Sequence, residues 1–517
     1  MNLHSILAET AARQPQRTAL IDVDAPGGQR SLTYGELWLE VRRIAAGLEA
    51  RGLRPGERVA MLIANSWEYV VTFFAISAAG LVSVPMNIRL LEDELAHMVE
   101  DSGARLLIAD ASLLGERASL RSIAELGTVV VPGMSFENLA AAPSKNVSSA
   151  DSHAVASLFY TSGTTGLPKG VMLTHFSWKT VSDYVRQYLG YAADEVTLHT
   201  AALTHGSGFL MLPTFAAGGT NVVCAKFDAG RVLSLFGGLG VTNGFFVPTM
   251  IQMLLDVRAP AERRGWRLKN LYYAGSPIDP GTLRGAIERF GPVLVQSFAQ
   301  AEAPMFLTAM NHAQHQQAIS GQKPQLIRSA GRVVAGVQVR IVDDADRELP
   351  TGQIGEIVAR APHVMQGYWN RPDATQQTLR NGWLYTGDVG CFDDEGYLYI
   401  VDRKKDMIIS GGANVYAREV EQALLALEDI KEVAVIGLPH PKWGEIVTAV
   451  MVSRTGRALE ETLVDQFCRT HIADYRRPKR YIWVDALPRN AYGKILKREL
   501  RTRFSEVLDA RSASPHA

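Results

Sequence analysis

Cysteine is nearly absent: three in 517 residues, at positions 224, 391 and 468. An odd number so widely spaced builds neither a disulfide framework nor a metal-ligand cluster, and it fits a reducing compartment. A surplus of charge is missing too, with 53 Lys+Arg against 53 Asp+Glu. A polybasic binder of nucleic acid or membrane surfaces normally carries a large excess of base, so neither partner is expected. Glu9 and Arg13 fall where a secretion signal would need an apolar core, which makes a cytoplasmic location the expectation. Long hydrophobic runs are reduced to one, residues 69–88, uncharged over a bilayer's length. Gly80 and Pro85 interrupt it and Val82-Ser83-Val84 is β-branched, so a buried helix, a turn and a buried strand are predicted, with no transmembrane segment.

What is present is apolar content enough for a full core, 47% of the chain, at a length suited to a large domain and a smaller partner. Helical patterning at 34–51 alternates with strand-like runs at 58–63, 105–109 and 128–131, the signature of layered α/β structure with parallel sheet. Beyond Pro324 short strands with tight turns take over, at 337–342 and 355–360, with turn signals at Asn381-Gly382 and Glu395-Gly396. These predict a small antiparallel β unit. A charge run at 402–406 then precedes a compact α+β succession: helix 417–427, strands 433–437 and 447–452, helix 461–471 and a basic final helix. The expected fold is α/β, with an N-terminal domain over 1–401, a connection at 402–405 and a small α+β domain over 406–517.

The strongest local signal is Tyr160-Thr161-Ser162-Gly163-Thr164-Thr165-Gly166-Leu167-Pro168-Lys169-Gly170, fed by the apolar Leu158-Phe159. Glycines let backbone N–H groups turn inward, four hydroxyls add donors, and Lys169 adds a point charge, a set suited to polyphosphate. The spacing is not that of a Walker A loop.

This string resembles the signature loop of the adenylate-forming (AMP-binding) superfamily, acyl-CoA synthetases among them. Further motifs follow in that superfamily's order: Tyr273-Ala274-Gly275-Ser276-Pro277, Phe298-Ala299-Gln300-Ala301-Glu302, Tyr385-Thr386-Gly387-Asp388, Asp402-Arg403-Lys404-Lys405-Asp406 and Pro488-Arg489-Asn490-Ala491-Tyr492-Gly493-Lys494. The resemblance spans nearly the whole chain. It implies an acid–thiol ligase using ATP, Mg²⁺ and coenzyme A, which joins a carboxylic acid to AMP and then to the CoA thiol. It also implies that the small domain is a mobile lid.

By the same resemblance Glu302 is a catalytic carboxylate holding Mg²⁺, with the Thr161 hydroxyl as a second oxygen contact. Phe298 offers its ring to adenine where the family commonly has Tyr, beside the turn of Ala274, Gly275 and Ser276. Ala301 departs from the family's usual Thr and loses a hydrogen bond worth about 1 kcal/mol. Asp388 takes the ribose diol, Arg403 reaches ribose or phosphate, and Lys405 is the hinge. Lys494 serves the first step, offsetting charge in the pentavalent transition state. Gly411 and Gly412 line the pantetheine path of the second step, with Lys442 and Trp443 near bound CoA.

His205, Phe246, Ser297 and Ala299 are the implied acyl-pocket residues, His205 also acting as a gate. The implied wall segments contain no Arg or Lys, which argues against a dicarboxylate. A medium- or long-chain fatty acid is the preferred substrate. An aryl acid of the benzoate or cinnamate type, or a fatty-acyl-AMP ligase loading a carrier protein, are the competing readings, and a homodimer stays open. Residues 402–517 hold 20 Lys+Arg against 16 Asp+Glu, so the positive charge lies on the implied lid.

Overall fold

Near-continuous apolar runs such as Val59-Ala60-Met61-Leu62 and Leu106-Leu107-Ile108-Ala109 suit strands covered on both faces, where no polar side is wanted. A computed structural model describes residues 2–115, 117–123, 126–143, 147–161, 168–258, 265–489 and 495–512, and places both runs in one six-stranded sheet. Its order is Gly127–Val131, Leu106–Asp110, Arg58–Leu62, Val82–Pro85, Val155–Thr161 and Lys169–Thr174. All pairs are parallel except the last, an antiparallel pair. The suspicious run at 69–88 resolves into helix Trp67–Ala78, capped by Ser66, and strand Val82–Pro85. Among the described residues no helix is long and apolar enough to cross a membrane.

A second sheet has nine strands, and its centre sets up the site. Val196–His199, Asn243–Phe246, Asn270–Tyr273 and Leu294–Gln300 lie side by side in parallel. Leu294–Gln300 then turns back antiparallel as Ala303–Met310. Helix Tyr34–Ala50 starts at a Thr33 cap that accepts from the Glu36 N–H, while the Glu36 carboxylate accepts from the Thr33 N–H. This reciprocal pair satisfies two of the helix's orphan donors.

The chain divides into two compact units. The first comprises residues 1–339, 359–385 and 396–398, and contains both large sheets. The second comprises 340–358, 386–395 and 399–517. Its principal feature is a long hairpin, Ile430–His440 with Gly444–Ser453, flanked in sequence by helices Ala417–Leu424 and Glu461–His471. Both strands outrun their predicted lengths because the pairing continues in register to His440 opposite Gly444. Alternate residues feed two cores: Val433, Val435 and Met451 go to one, Ala434, Ile436 and Val450 to the other.

The predicted small β unit is a five-stranded sheet containing Gln338–Val342, Gly355–Arg360, Leu379–Arg380, Trp383–Phe392 and Leu398–Arg403. Asn381 and Gly382, both at positive φ, make the two-residue turn between Leu379–Arg380 and Trp383–Phe392. Asn-Gly tolerates that left-handed geometry, which matches the twist of the paired strands.

Candidate active site

In open α/β sheets ligands gather at the carboxyl ends of the strands. In the first unit the candidate residues follow those ends one after another. His205 lies in the segment after Val196–His199, Phe246 ends its strand, Ala274, Gly275 and Ser276 follow Asn270–Tyr273, and Ala301 with Glu302 turn the hairpin after Leu294–Gln300. Thr161 ends Val155–Thr161 and stands opposite Lys169 in the antiparallel register. The two therefore flank the mouth of the signature loop, whose Ser162, Gly163, Thr164, Thr165 and Gly166 lie outside the described residues. Lys494 lies outside them too.

Glu302 is half-buried, and its Oε1 accepts a 2.6 Å hydrogen bond from the Tyr368 hydroxyl. Burial first, and then the Glu302 charge, push the Tyr368 pKa up, so the phenol is the donor. Among the described residues no cation pairs with Glu302, and no group of three or more His, Cys, Asp or Glu side chains could hold a metal by itself. The donor set nevertheless fits Mg²⁺, which typically binds one or two carboxylates and completes its shell with phosphate and water. Among the described residues this carboxylate is partnered by a neutral phenol and by no cation.

The segment carrying Tyr368 is stitched down on both sides. Met365 N–H donates to the Glu302 carbonyl at 2.7 Å, and Trp369 N–H to the Gly170 carbonyl at 2.7 Å. Tyr368 itself bridges Val171. The ammonium of Lys169 sits 4.7 Å from the centre of the Tyr368 ring. Nothing in the local sequence announces this residue: it is 66 positions from Glu302, and only the tertiary fold brings them together.

The acyl-side residues divide by strand alternation. Phe246, expected in the pocket, is fully buried in the core with Val232, Phe236 and Ile251. Its neighbour Phe245 points to the opposite face, as period two requires. There Phe245 packs edge-on against Tyr272, at 5.5 Å between centroids, and Tyr272 stacks on Phe306. Phe245 also lies so close to Gly206 that a Cβ there would meet the ring at 2.6 Å; only glycine admits this approach. Ser297, buried, joins the same aromatic cluster through a 2.5 Å hydrogen bond with the Tyr272 hydroxyl. Phe298 is buried as well, whereas Ala299 is half-buried. His205 bonds through Nδ1 with the Thr204 hydroxyl at 2.9 Å, and burial pulls its pKa down to about 4, leaving the ring neutral near pH 7.

In the second unit Asp388 is buried and paired with Arg403, its Oδ1 3.0 Å from Nε. Thr386, Gly387 and Asp388, expected in a turn, lie within strand Trp383–Phe392, held by the Thr386 hydroxyl donating to the Ile357 carbonyl and by Gly387 N–H donating to Glu356. Gly387 has φ +69 and open space around it, so the backbone angle, not crowding, calls for glycine. Glu356 is paired in turn with Lys404 at 2.8 Å, next to the exposed Lys405. Gly411 and Gly412, both at positive φ, turn the hairpin from Ile408–Ser410 to Ala413–Val415. The Gly411 N–H donates to the Trp443 carbonyl at 2.8 Å, and the Lys442 ammonium is 5.0 Å from the Trp443 ring centre, so these four residues come together.

Comparison with known proteins bears on both units. Residues 7–369 match the family model for AMP-binding enzymes, and residues 419–494 the model for their C-terminal domain. A feruloyl-CoA synthase of an Amycolatopsis species is 39% identical over 488 residues, covering 92% of this chain and 95% of that one. The long-chain-fatty-acid–CoA ligase FadD13 of Mycobacterium tuberculosis is 34% identical, covering 98% and 99%. The structure of o-succinylbenzoate CoA synthetase from Bacillus subtilis with its acyl-adenylate intermediate superimposes with TM-score 0.85 at 30% identity, over 96% of this chain and 97% of that one.

Proposed function

This chain belongs to the AMP-binding enzymes of the adenylate-forming superfamily, and from that premise we propose that it activates an aryl carboxylic acid of the cinnamate type with ATP and transfers it to coenzyme A. The coarser statement, an adenylate-forming acyl- or aryl-CoA ligase, follows from the family and its relatives. The observation supporting an aryl acid is the aromatic cluster of Phe245, Tyr272 and Phe306, buried beside Gly206 in the segment that carries His205. Flat aromatic faces favour stacked or edge-on partners by about 0.5–1.5 kcal/mol beyond burial alone. The feruloyl-CoA synthase likeness points the same way. The medium- or long-chain fatty acid, preferred on the sequence alone, becomes the second reading, favoured by the FadD13 likeness.

The chemistry assigns roles as follows. Thr161 and Glu302 would hold Mg²⁺, which offsets charge on the phosphates. The turn at 274–276 and the Phe298 ring receive adenine, and Asp388 with Arg403 receives ribose. The acid's carboxylate attacks the α-phosphate and pyrophosphate leaves, while Lys494 offsets charge in the transition state. His205, neutral at that pH, gates the acid by hydrogen bonding and shape. The CoA thiol then attacks the acyl carbon of the adenylate and AMP leaves, with Gly411, Gly412, Lys442 and Trp443 on the CoA side. The segment 402–405 is the hinge between the two half-reactions, turning at Lys405.

Pyrophosphate release over cinnamates, benzoates, C8–C16 fatty acids and dicarboxylates tests the substrate reading. Cinnamates should give the highest kcat/KM, and a preference for fatty acids would overturn it. Lys494→Ala should lower acid-dependent ATP–pyrophosphate exchange by about a hundredfold to a thousandfold, while supplied acyl-adenylate is still converted to thioester.

A further inference from the structure

We propose that Tyr368 is a positioning residue that keeps Lys169 and Glu302 apart and aimed, so that neither satisfies the other before Mg·ATP arrives. The proposal rests on reading Glu302 as the metal carboxylate and Lys169 as a phosphate-binding lysine. A lysine at the mouth of a phosphate loop and a nearby metal carboxylate have opposite charges and an obvious alternative to binding ligand, namely each other. Both touch one side chain, Glu302 at the Tyr368 hydroxyl and Lys169 over its ring. They form no ion pair among the described residues.

One phenol performs both tasks because its edge and its face differ chemically. The hydroxyl donates to carboxylate, fixing the Glu302 rotamer without neutralising it. The π face attracts an ammonium through its quadrupole, worth about 0.5–1 kcal/mol at an accessible site, which is weak enough for a phosphate to displace. The ring is itself fixed. Tyr368 is buried, its N–H donates to Thr375 at 2.9 Å, and the flanking backbone is bonded to the Glu302 carbonyl and to Gly170. The strap therefore references both charged groups to the same backbone.

Two substitutions separate the two tasks. Tyr368→Phe retains the ring and deletes the hydroxyl; Tyr368→Leu deletes both. ATP binding is measured calorimetrically without any acid substrate, once in EDTA and once across a Mg²⁺ titration. For Tyr368→Phe the Mg²⁺ needed for half-maximal enhancement of ATP binding should rise about tenfold or more, the value of one hydrogen bond to a charged group, with binding in EDTA unchanged. Tyr368→Leu should weaken ATP in EDTA as well, because Lys169 is then free to pair with Glu302, and Glu302→Gln in that background should restore the EDTA affinity. The Phe variant decides alone if the Leu variant does not fold. A wild-type Mg²⁺ dependence in Tyr368→Phe, or equal losses with and without Mg²⁺ as a merely structural role would give, overturns the proposal. Wild-type protein showing no Mg²⁺-dependent ATP binding would instead overturn the functional reading on which it rests.

Discussion

Glu302 and Asp388 are both carboxylates, one on a hairpin turn and one within strand Trp383–Phe392, and the sequence motifs imply that both serve the nucleotide. Their surroundings differ in one decisive respect. Among the described residues Glu302 has a neutral phenol and no cation for a partner. Asp388 is buried against the Arg403 guanidinium, so its charge is already matched. An unmatched carboxylate attracts a divalent cation; a matched one has little left for a cation but retains lone pairs for neutral hydroxyls. The partner separates a metal-type carboxylate from a sugar-type one.

The contrast breaks most visibly at Glu302. Glu302→Gln preserves shape and removes charge, and should lower kcat/KM by about a hundredfold to a thousandfold, as for loss of a preorganised electrostatic contact. Part of that loss should return when Mg²⁺ is raised. Asp388→Asn should act differently, raising the KM for ATP by roughly tenfold to a hundredfold, the range of a hydrogen bond involving a charged group. Its kcat and Mg²⁺ requirement should stay near wild type. Steady-state kinetics on a grid of ATP and Mg²⁺ concentrations separates the two, and rescue of Asp388→Asn by Mg²⁺ would erase the distinction.

The two units also differ in how they store acid sensitivity. His4, His175, His199, His315 and His363 are all buried in the first unit, and burial pulls each pKa down to about 4. Both ring nitrogens of His363 lack a hydrogen-bond partner among the described residues. In the second unit His440 is half-buried and His471 exposed. Below about pH 6.5 the unfolded chain takes up protons that these five folded sites refuse, so stability falls between pH 6.5 and 4. Each such histidine weakens the fold by about 1 kcal/mol per pH unit in that window. Hydrogen exchange at pH 7.5 and pH 5 should show first-unit amides losing protection and second-unit amides changing little. Equal loss in both units would remove the histidines as the cause.

Parts of this picture were readable from residues alone, for local reasons. Helix 461–471 and the Asn381-Gly382 turn are encoded by short-range periodicity and backbone preference, and both occur where predicted. The motifs single out Glu302 and Asp388 as expected site residues. The partners that distinguish those carboxylates were less legible. Arg403 sits in its own motif, but Tyr368 reaches Glu302 only because a strap is bonded across strand Lys169–Thr174. Phe246 and Phe245 part for a related reason: adjacent phenylalanines look alike in sequence, yet a strand sends them to opposite faces, Phe246 into the core. Pairing across the fold is written in shape and in distant residues, which a linear pattern does not display.

The smallest effect lies beside the largest. Ala301 shares the hairpin turn with Glu302 and is half-buried, and the motif resemblance implies a Thr at that place. Ala301 is not among the residues at positive φ, so a β-branched side chain meets no left-handed strain. Restoring the hydroxyl by Ala301→Thr offers the α-phosphate region one neutral hydrogen bond, about 1 kcal/mol or close to fivefold in rate. If the bond forms mainly in the transition state, kcat rises while the KM for ATP stays put; if it forms equally in the ground state, KM falls and kcat does not. Neither parameter moving by more than about twofold would mean that the turn does not face the α-phosphate. Unlike Glu302→Gln, this variant should leave the Mg²⁺ requirement untouched, because the added hydroxyl changes a donor and not a charge.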